Sequence, residues 1–426
     1  MEKTLRFIEK YIPRKIYKLG QPIYHYLLTF IGALIYRFPS KKLHIVGVTG
    51  TKGKSSTTEF VNAILEEAGY KTALSNTIRF KIRNETKPNM YKMSMPGRFF
   101  MQKFLRDAVN AGCTHAVIEI TSEGARMFRN KFIDLDALIF TNIAPEHIES
   151  HGSFENYVKA KVSIADELEH SSKPRRVIVA NADDKEAYRF LEKDVNERYT
   201  YSLSDAEPYI ANEGGVGFHY KGTVMSSELK GIFNIYNMLA AATYADVFGV
   251  EKSIIASAFE KLKELKGRVQ HVKIGQNFDV VVDYAHTADS LKALYEAFPN
   301  QKKICVLGST GGGRDKWKRP LMGEMADTYC DHIILANEDP YNEDPLEIIE
   351  GVQSGIKNKT CEVILDRAEA IQKAVSLAKD WESKSEKVAV LITGKGTDPY
   401  IMGPSGTKQE WSDAKIAEVA LFKLNS

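Results

Sequence analysis

The chain has 426 residues, 43% of them hydrophobic and 27% charged, with a net charge of +3. That length exceeds one ordinary core, so two or three domains are expected. Lysines and arginines are interspersed with acids instead of forming a stripe, which excludes a dedicated nucleic-acid binder. Cys113, Cys305, Cys330 and Cys361 form no C-x-x-C pair, and the expectation is buried free thiols in a reducing cytosol.

At the N-terminus, Lys3, Arg6, Lys10, Arg14, Lys15 and Lys18 precede an uncharged run, YHYLLTFIGALIY, from Tyr24 to Tyr36. The run is shorter than the about 20 apolar residues that span a bilayer, and no small-residue cleavage site follows it. Two readings stay open: a helix packed on the protein, which is favoured, or a peripheral membrane contact through residues 1–40. From residue 43, short β-branched runs alternate with helical stretches. LHIVGV (43–48), HAVIEI (115–120), ALIFTN (137–142) and RRVIVAN (175–181) read as buried strands. Helices are expected over Ser55–Glu67 and Phe99–Asn110, and a small β excursion over Tyr199–Gly222 precedes a helix from Asn234 to Phe248.

A second series begins near Gly267, with DVVVDY (279–284), KKICVLGS (302–309), HIILAN (332–337) and KVAVLITG (387–394) as strands. The alternation predicts an α/β protein with largely parallel sheets. Its expected parts are a short helical N-terminal segment (1–42), a central P-loop ATPase domain (43–266) and a C-terminal Rossmann-like domain (267–426).

VGVTGTKGKSST (46–57) lies where a strand meets a helix. Gly50 and Gly53 allow a tight turn, and the amides of Thr51, Lys52, Ser55 and Ser56 can face phosphate oxygens. Lys54 supplies a point charge, and Ser55 a magnesium ligand at the helix N-terminus. The G-x-x-G-K-S spacing is one position short of the strict Walker pattern, and alone it points only to a nucleoside triphosphate.

EITS (119–122), TNIAPEHIESHG (141–152), YVKAK (157–161), NADD (181–184), DYAHTADSL (283–291), GGGRDKWKRPLMG (311–323), DRAEAI (366–371) and GKGTD (394–398) follow in order. With the loop, this set resembles the Mur ligases, the ATP-dependent amino-acid ligases of peptidoglycan synthesis, and looks most like the branch that adds the third stem-peptide residue. The resemblance implies that a carboxylate attacks ATP to give an acyl phosphate, which an amine then converts to an amide. It makes Glu119 and His147 magnesium ligands, and Lys161 a carbamate formed with carbon dioxide that bridges to the second of two magnesium ions. Lys54, Glu119, His147 and Lys161 form the catalytic set on this reading. Asn142, Asn234, Asn237, Arg268 and Asp283 are expected to line ATP.

By the same resemblance, Arg314 grips the α-carboxylate of the incoming amino acid. Diaminopimelate-adding members carry D-N-P-R where this chain has Glu338, Asp339, Pro340 and Tyr341, and G-K-G-H-E where it has Gly394 through Asp398. Losing that arginine and gathering Glu338, Asp339 and Asp398 suggests a distal amine, so an L-lysine-like amino acid is expected in preference to diaminopimelate. About 42 residues precede the first strand, fewer than a UDP-sugar domain needs, so the acceptor is expected to be held differently, with residues 1–40 as a substrate or membrane contact. The chain is expected to be a cytoplasmic monomer with small-molecule substrates and no nucleic-acid partner. A folylpolyglutamate synthetase-like or other γ-glutamyl ligase is the alternative, and a non-catalytic ATP-binding partner is a rival of another class.

Overall fold

A computed structural model describes residues 14–146, 148–384 and 386–425. Packing divides it into two compact units. One comprises the described residues within Met1–Lys54, Ala68–Ile143 and Glu155–Tyr201, and the other those within Ser55–Glu67, Ala144–Phe154 and Ser202–Ser426.

The first unit is built on an eight-stranded sheet. Its strands are β1 (His44–Thr49), β2 (Thr72–Ser75), β3 (Arg79–Ile82), β4 (Glu85–Pro88), β5 (His115–Glu119), β6 (Ala137–Phe140), β7 (Val177–Asn181) and β8 (Glu197–Tyr201). They lie in the order β4-β3-β2-β5-β1-β6-β7-β8. Pairing is parallel from β2 to β8, while β3 and β4 add an antiparallel edge. Val46 sits opposite Val117 of β5 on one side and Ala137 of β6 on the other. The central strands are apolar on both faces because helices cover both. The parallel register brings the C-terminal ends of β1, β5 and β6 to one edge, where ligands bind in open α/β sheets.

The four strands read from the sequence for this region are present. The structure adds β2, β3, β4 and β8, which are only four or five residues long and partly polar. A helix over Arg14–Ile35 packs against the helix Arg98–Asn110.

In the second unit, β9 (Tyr209–Asn212), β10 (Gly215–Tyr220) and β11 (Thr223–Ser227) form a small antiparallel sheet, the expected β excursion. The helix Ile232–Val247 follows it. A six-stranded sheet follows, made of β12 (Gln270–His271), β13 (Asp279–Val282), β14 (Lys302–Leu307), β15 (His332–Leu335), β16 (Thr360–Val363) and β17 (Val388–Ile392). Its order is β12-β13-β17-β14-β15-β16, parallel except for β12. Alternate strand residues serve two cores. Val281, Cys305, Leu307, Ile333 and Leu391 face one side, and Val280, Ile304, Val306, Ile334 and Val390 the other.

One expectation fails here: Cys305 and Cys330 are bonded as a disulfide, while Cys113 and Cys361 keep their thiols. Cys330 ends the helix Lys318–Tyr329, which returns the chain to β15 beside β14, so the two cysteines meet with Cα atoms 6.1 Å apart. A gap of 25 residues carries no motif that announces this. No described helix is long and apolar enough to cross a membrane.

Candidate active site

The loop after β1 is shaped by the strand beside it. Gly50 has a φ of +148°, and a Cβ there would lie 1.9 Å from Thr141 Oγ1, so only glycine fits. Thr51 N–H donates to the Asn142 carbonyl at 2.7 Å. Asn142 holds the two peptide groups that flank the Lys52 Cα, accepting from Lys52 N–H at 3.0 Å and donating to the Lys52 carbonyl at 3.1 Å. Thr141 Oγ1 donates to that same carbonyl at 2.7 Å. Asn142, expected to line the nucleotide, is thus seated as a former of the loop.

Lys54 Nζ donates to the Thr51 carbonyl at 2.8 Å, which holds its charge over the loop. Lys161, on the helix Phe154–Glu169, is only 2% exposed. Its amine donates to the Gly50 carbonyl at 2.5 Å and lies 4.8 Å from the centre of the Tyr157 ring. Tyr157 OH is 2.9 Å from Thr51 Oγ1, a second tie between that helix and the loop. Neither contact is visible in the spacing of YVKAK.

Glu119 ends β5 with 2% exposure, and its carboxylate accepts from Thr77 N–H and Thr77 Oγ1, each at 3.0 Å. Glu119 and the Ser55 hydroxyl are hard oxygen donors, the type magnesium takes. Among the described residues no group of three or more His, Cys, Asp or Glu could hold a metal alone. His147 lies outside the described residues.

The second unit holds the rest of the predicted set. Ser55 and Ser56, each 5% exposed, open the helix that continues from Lys54. On that helix Thr57 Oγ1 donates to Asn237 Oδ1 at 3.3 Å. Asn237 in turn donates to Asn234, whose own amide donates to the Lys230 carbonyl at 2.8 Å.

Asp283, at the end of β13, accepts from Val269 N–H and Ala285 N–H, both at 2.7 Å. Burial nevertheless pushes its carboxyl pKa up, against the opposing pull of Arg268 and those amides. Arg268 stacks over the Tyr284 ring, 4.5 Å from its centre. The Tyr284 hydroxyl is pushed well above the ordinary tyrosine range, first by the negative charge of Asp398 and then by burial. His286 Nε2 meets Glu146 Oε1 at 2.7 Å. Glu146 went unnoticed in the sequence because the adjacent His147 drew the metal role.

The amino-acid set gathers where β14, β15 and β17 end. Arg314 lies 5.2 Å from the centre of the Tyr341 ring. Nearby, burial would raise the Glu343 carboxyl, but Gly313 N–H, Arg319 and Lys316 outweigh it and bring the pKa to about 2. Asp339 and Asp398 both turn to Lys395, which is fully buried, at 2.8 and 3.6 Å. Lys395 also donates to the Tyr400 carbonyl at 2.7 Å. Buried carboxylates need a counter-ion, and this lysine, absent from the predicted site, supplies it.

Asp339 and Asp398 are thus paired within the protein, and Glu338 is placed differently. That residue is 3% exposed. Its Oε1 accepts from Thr310 Oγ1 at 2.6 Å, while Oε2 has no hydrogen-bond partner. A Cβ on Gly394 would meet Oε2 at 2.2 Å, so glycine is what lets that oxygen approach the end of β17. The neighbouring Ser309 Oγ is also buried without a partner.

Comparison with known proteins bears directly on this arrangement. Residues 48–245 match the Mur ligase middle domain, and residues 267–396 the Mur ligase glutamate ligase domain. The UDP-N-acetylmuramoyl-L-alanyl-D-glutamate–2,6-diaminopimelate ligase of Caldanaerobacter subterraneus subsp. tengcongensis is 35% identical over 384 residues, covering 87% of this chain and 76% of that relative. A UDP-N-acetylmuramyl-tripeptide synthetase of Roseiflexus sp. is 35% identical over 422 residues, covering 92% and 81%. Mycobacterium tuberculosis folylpolyglutamate synthase, solved with ADP and AMPPCP, shares the fold with a TM-score of 0.70 over 92% of this chain and 94% of its own, at 15% identity. With identity of this extent across both domains, the chain belongs to the Mur ligase family, whose members use ATP and magnesium, and it is an ATP-dependent ligase that joins an acid to an amino acid.

Proposed function

We propose that the chain adds the third amino acid to a muramoyl dipeptide precursor in peptidoglycan synthesis, and that this amino acid carries a distal amine, L-lysine-like in preference to diaminopimelate. The observation that carries the side-chain choice is Glu338, a buried carboxylate with one oxygen unpartnered. An ammonium completes such a site, because a charged donor satisfies a buried acceptor most strongly. Diaminopimelate, named for the Caldanaerobacter relative, has the same distal amine and an added carboxylate. Tyr341 stands where diaminopimelate-adding members carry a further arginine, and the cation over its ring is Arg314, which this reading gives to the α-carboxylate.

In this reading the acceptor's carboxylate oxygen forms a bond to the γ-phosphorus as the bond to ADP breaks. The amine then displaces phosphate and gives up a proton. Lys54 and the amides of Gly53, Ser55 and Ser56 hold the terminal phosphates, while the Thr51 and Lys52 amides, which donate to Asn142, shape the loop around them. Asn234, Asn237, Arg268 and Asp283 serve the nucleotide, and Arg314 the α-carboxylate. Asp398 and Asp339 act through Lys395, which fixes the chain after Gly394.

Ser55, Glu119, His147 and Lys161 would hold two magnesium ions, which when bound draw negative charge from the phosphoryl group. Lys161 would do so as a carbamate, made by forming an N–C bond to carbon dioxide with loss of a proton. Its burial beside the loop supports that role. As a carbamate the Lys161 nitrogen would keep one hydrogen and could still donate to the Gly50 carbonyl. The domain division at 42 and 266, a cytoplasmic setting and a monomer complete the proposal.

Phosphate release measured with UDP-N-acetylmuramoyl-L-alanyl-D-glutamate and a panel of amino acids tests it. L-lysine or L-ornithine should turn over fastest, and Glu338→Gln should raise their KM with little change in the KM for ATP. A clear diaminopimelate preference refutes the side-chain choice. Faster turnover of a folate with glutamate refutes the acceptor.

A further inference from the structure

The helix Arg14–Ile35 is oriented with its small and polar residues toward the protein. Thr29, Gly32 and Ala33 are buried, and Thr29 Oγ1 donates to the Phe128 carbonyl at 3.0 Å. The Phe99 ring packs beside Gly32, 3.6 Å from where a Cβ would stand. The large apolar residues point the other way. Ile23 is 64% exposed, Leu27 51%, Ile31 43%, Leu34 58% and Ile35 59%. Steps of four, four and three residues from Ile23 to Leu34 place them in one stripe on one helical face. Tyr26 and Phe30 flank the stripe with their edges on Phe132 and two-fifths of their surface exposed. An apolar stripe of this kind marks an interaction surface.

Charge identifies the occupant. From residue 10 to residue 58 the sequence contains no Asp or Glu. Lys10, Arg14, Lys15 and Lys18 precede the stripe in sequence, and the exposed Arg37, Lys41 and Lys42 follow it. A second copy would set like charges side by side, because both ends are cationic in either direction of pairing. An anionic lipid surface complements both ends and takes the apolar stripe between them. The helix does not qualify as a crossing span, so it would lie in the plane of the interface.

We propose that this helix is an interfacial anchor that seats the chain on an anionic phospholipid surface, with Ile23, Leu27, Ile31, Leu34 and Ile35 among the acyl chains and the cationic ends on headgroups. The seat uses no residue of the phosphate loop or of the acid cluster, so it stands or falls apart from the substrate assignment.

Flotation of the full chain with vesicles tests it. Vesicles of equal parts phosphatidylglycerol and phosphatidylcholine should carry the chain upward at least about tenfold more than phosphatidylcholine alone. Leu27→Glu/Ile31→Glu/Leu34→Glu should abolish flotation while the thermal midpoint and its upward shift with ATP stay as in the parent. Arg37→Glu/Lys41→Glu/Lys42→Glu should weaken flotation and its dependence on salt. A chain that ignores both vesicle types overturns the proposal. So does a stripe variant that floats like the parent, which would leave only charge adsorption. Loss of a stable dimer in the stripe variant, seen by sedimentation and without vesicle binding in the parent, assigns the stripe to protein contact and also overturns it.

Discussion

The phosphate loop and the acid cluster occupy equivalent places, both where parallel strands end, yet they are built by different forces. The loop is a backbone object. Gly50 must be glycine to pass Thr141, and Asn142 pins the peptide groups on both sides of the Lys52 Cα. The acid cluster is a charge object, in which Lys395 balances Asp339 and Asp398 and leaves one Glu338 oxygen open. A backbone object is written in local residue types. A charge object is written in partners that are distant along the chain.

Variants should separate the two kinds of construction. The largest effect is expected from Lys54→Ala, which removes the charge held over the loop. The rate of amide formation should fall by about 10³-fold, with the thermal midpoint unchanged, as read by single-turnover kinetics and calorimetry. Lys395→Met should do the reverse, lowering stability by about 3–5 kcal/mol because two buried carboxylates lose their counter-ion. Urea denaturation measures that loss, and adding Asp339→Asn should return part of it. If Lys395→Met is stable and only slows the reaction, the cluster is not held by charge.

Asn142→Ala comes next. Freeing the Lys52 peptide should raise the Kd for ATP about tenfold, or about 1.4 kcal/mol, while leaving the Kd for amino acid as it was. Equal loss for both ligands would mean that Asn142 does more than shape the loop.

The smallest effect concerns pH and stability. His44 and His115 face each other on β1 and β5, with ring centres 5.0 Å apart. Burial lowers both pKa values from 6.5 to about 4, helped for His44 by Lys173 and Arg175 and for His115 by His44, with Asp136 opposing at His115. Between pH 6.5 and 4 the unfolded chain binds the extra protons, so stability is full above pH 6.5 and declines as pH falls toward 4. His44→Gln should flatten that decline in thermal midpoints taken from pH 7 to 4.5. An unchanged slope would remove the histidine pair from the account.

Much of this was legible in the sequence, for reasons tied to particular residues. Strands such as HIVGVT and VAVLI are continuous apolar runs because both their faces are covered, and Gly50, Gly53 and Lys54 announce a phosphate turn wherever they stand between strand and helix. The pairing of Lys395 with Asp339 spans 56 residues, and that of His286 with Glu146 spans 140. Nothing local marks either. The Cys305–Cys330 bond was hidden likewise, since it depends on which strands become neighbours. The helix Arg14–Ile35 shows the complementary limit. Its apolar run was plain, but periodicity could not tell that the side turned to the protein would be the one with Thr29, Gly32 and Ala33.

The most direct test of the acyl-phosphate route follows one oxygen atom. With the acceptor's reacting carboxylate labelled with oxygen-18, amide formation by that route must leave one labelled oxygen in the released phosphate, because the attacking oxygen stays on phosphorus when the amine displaces it. Mass spectrometry of the phosphate should show one label per amide formed. Unlabelled phosphate alongside normal amide formation would contradict the acyl-phosphate route.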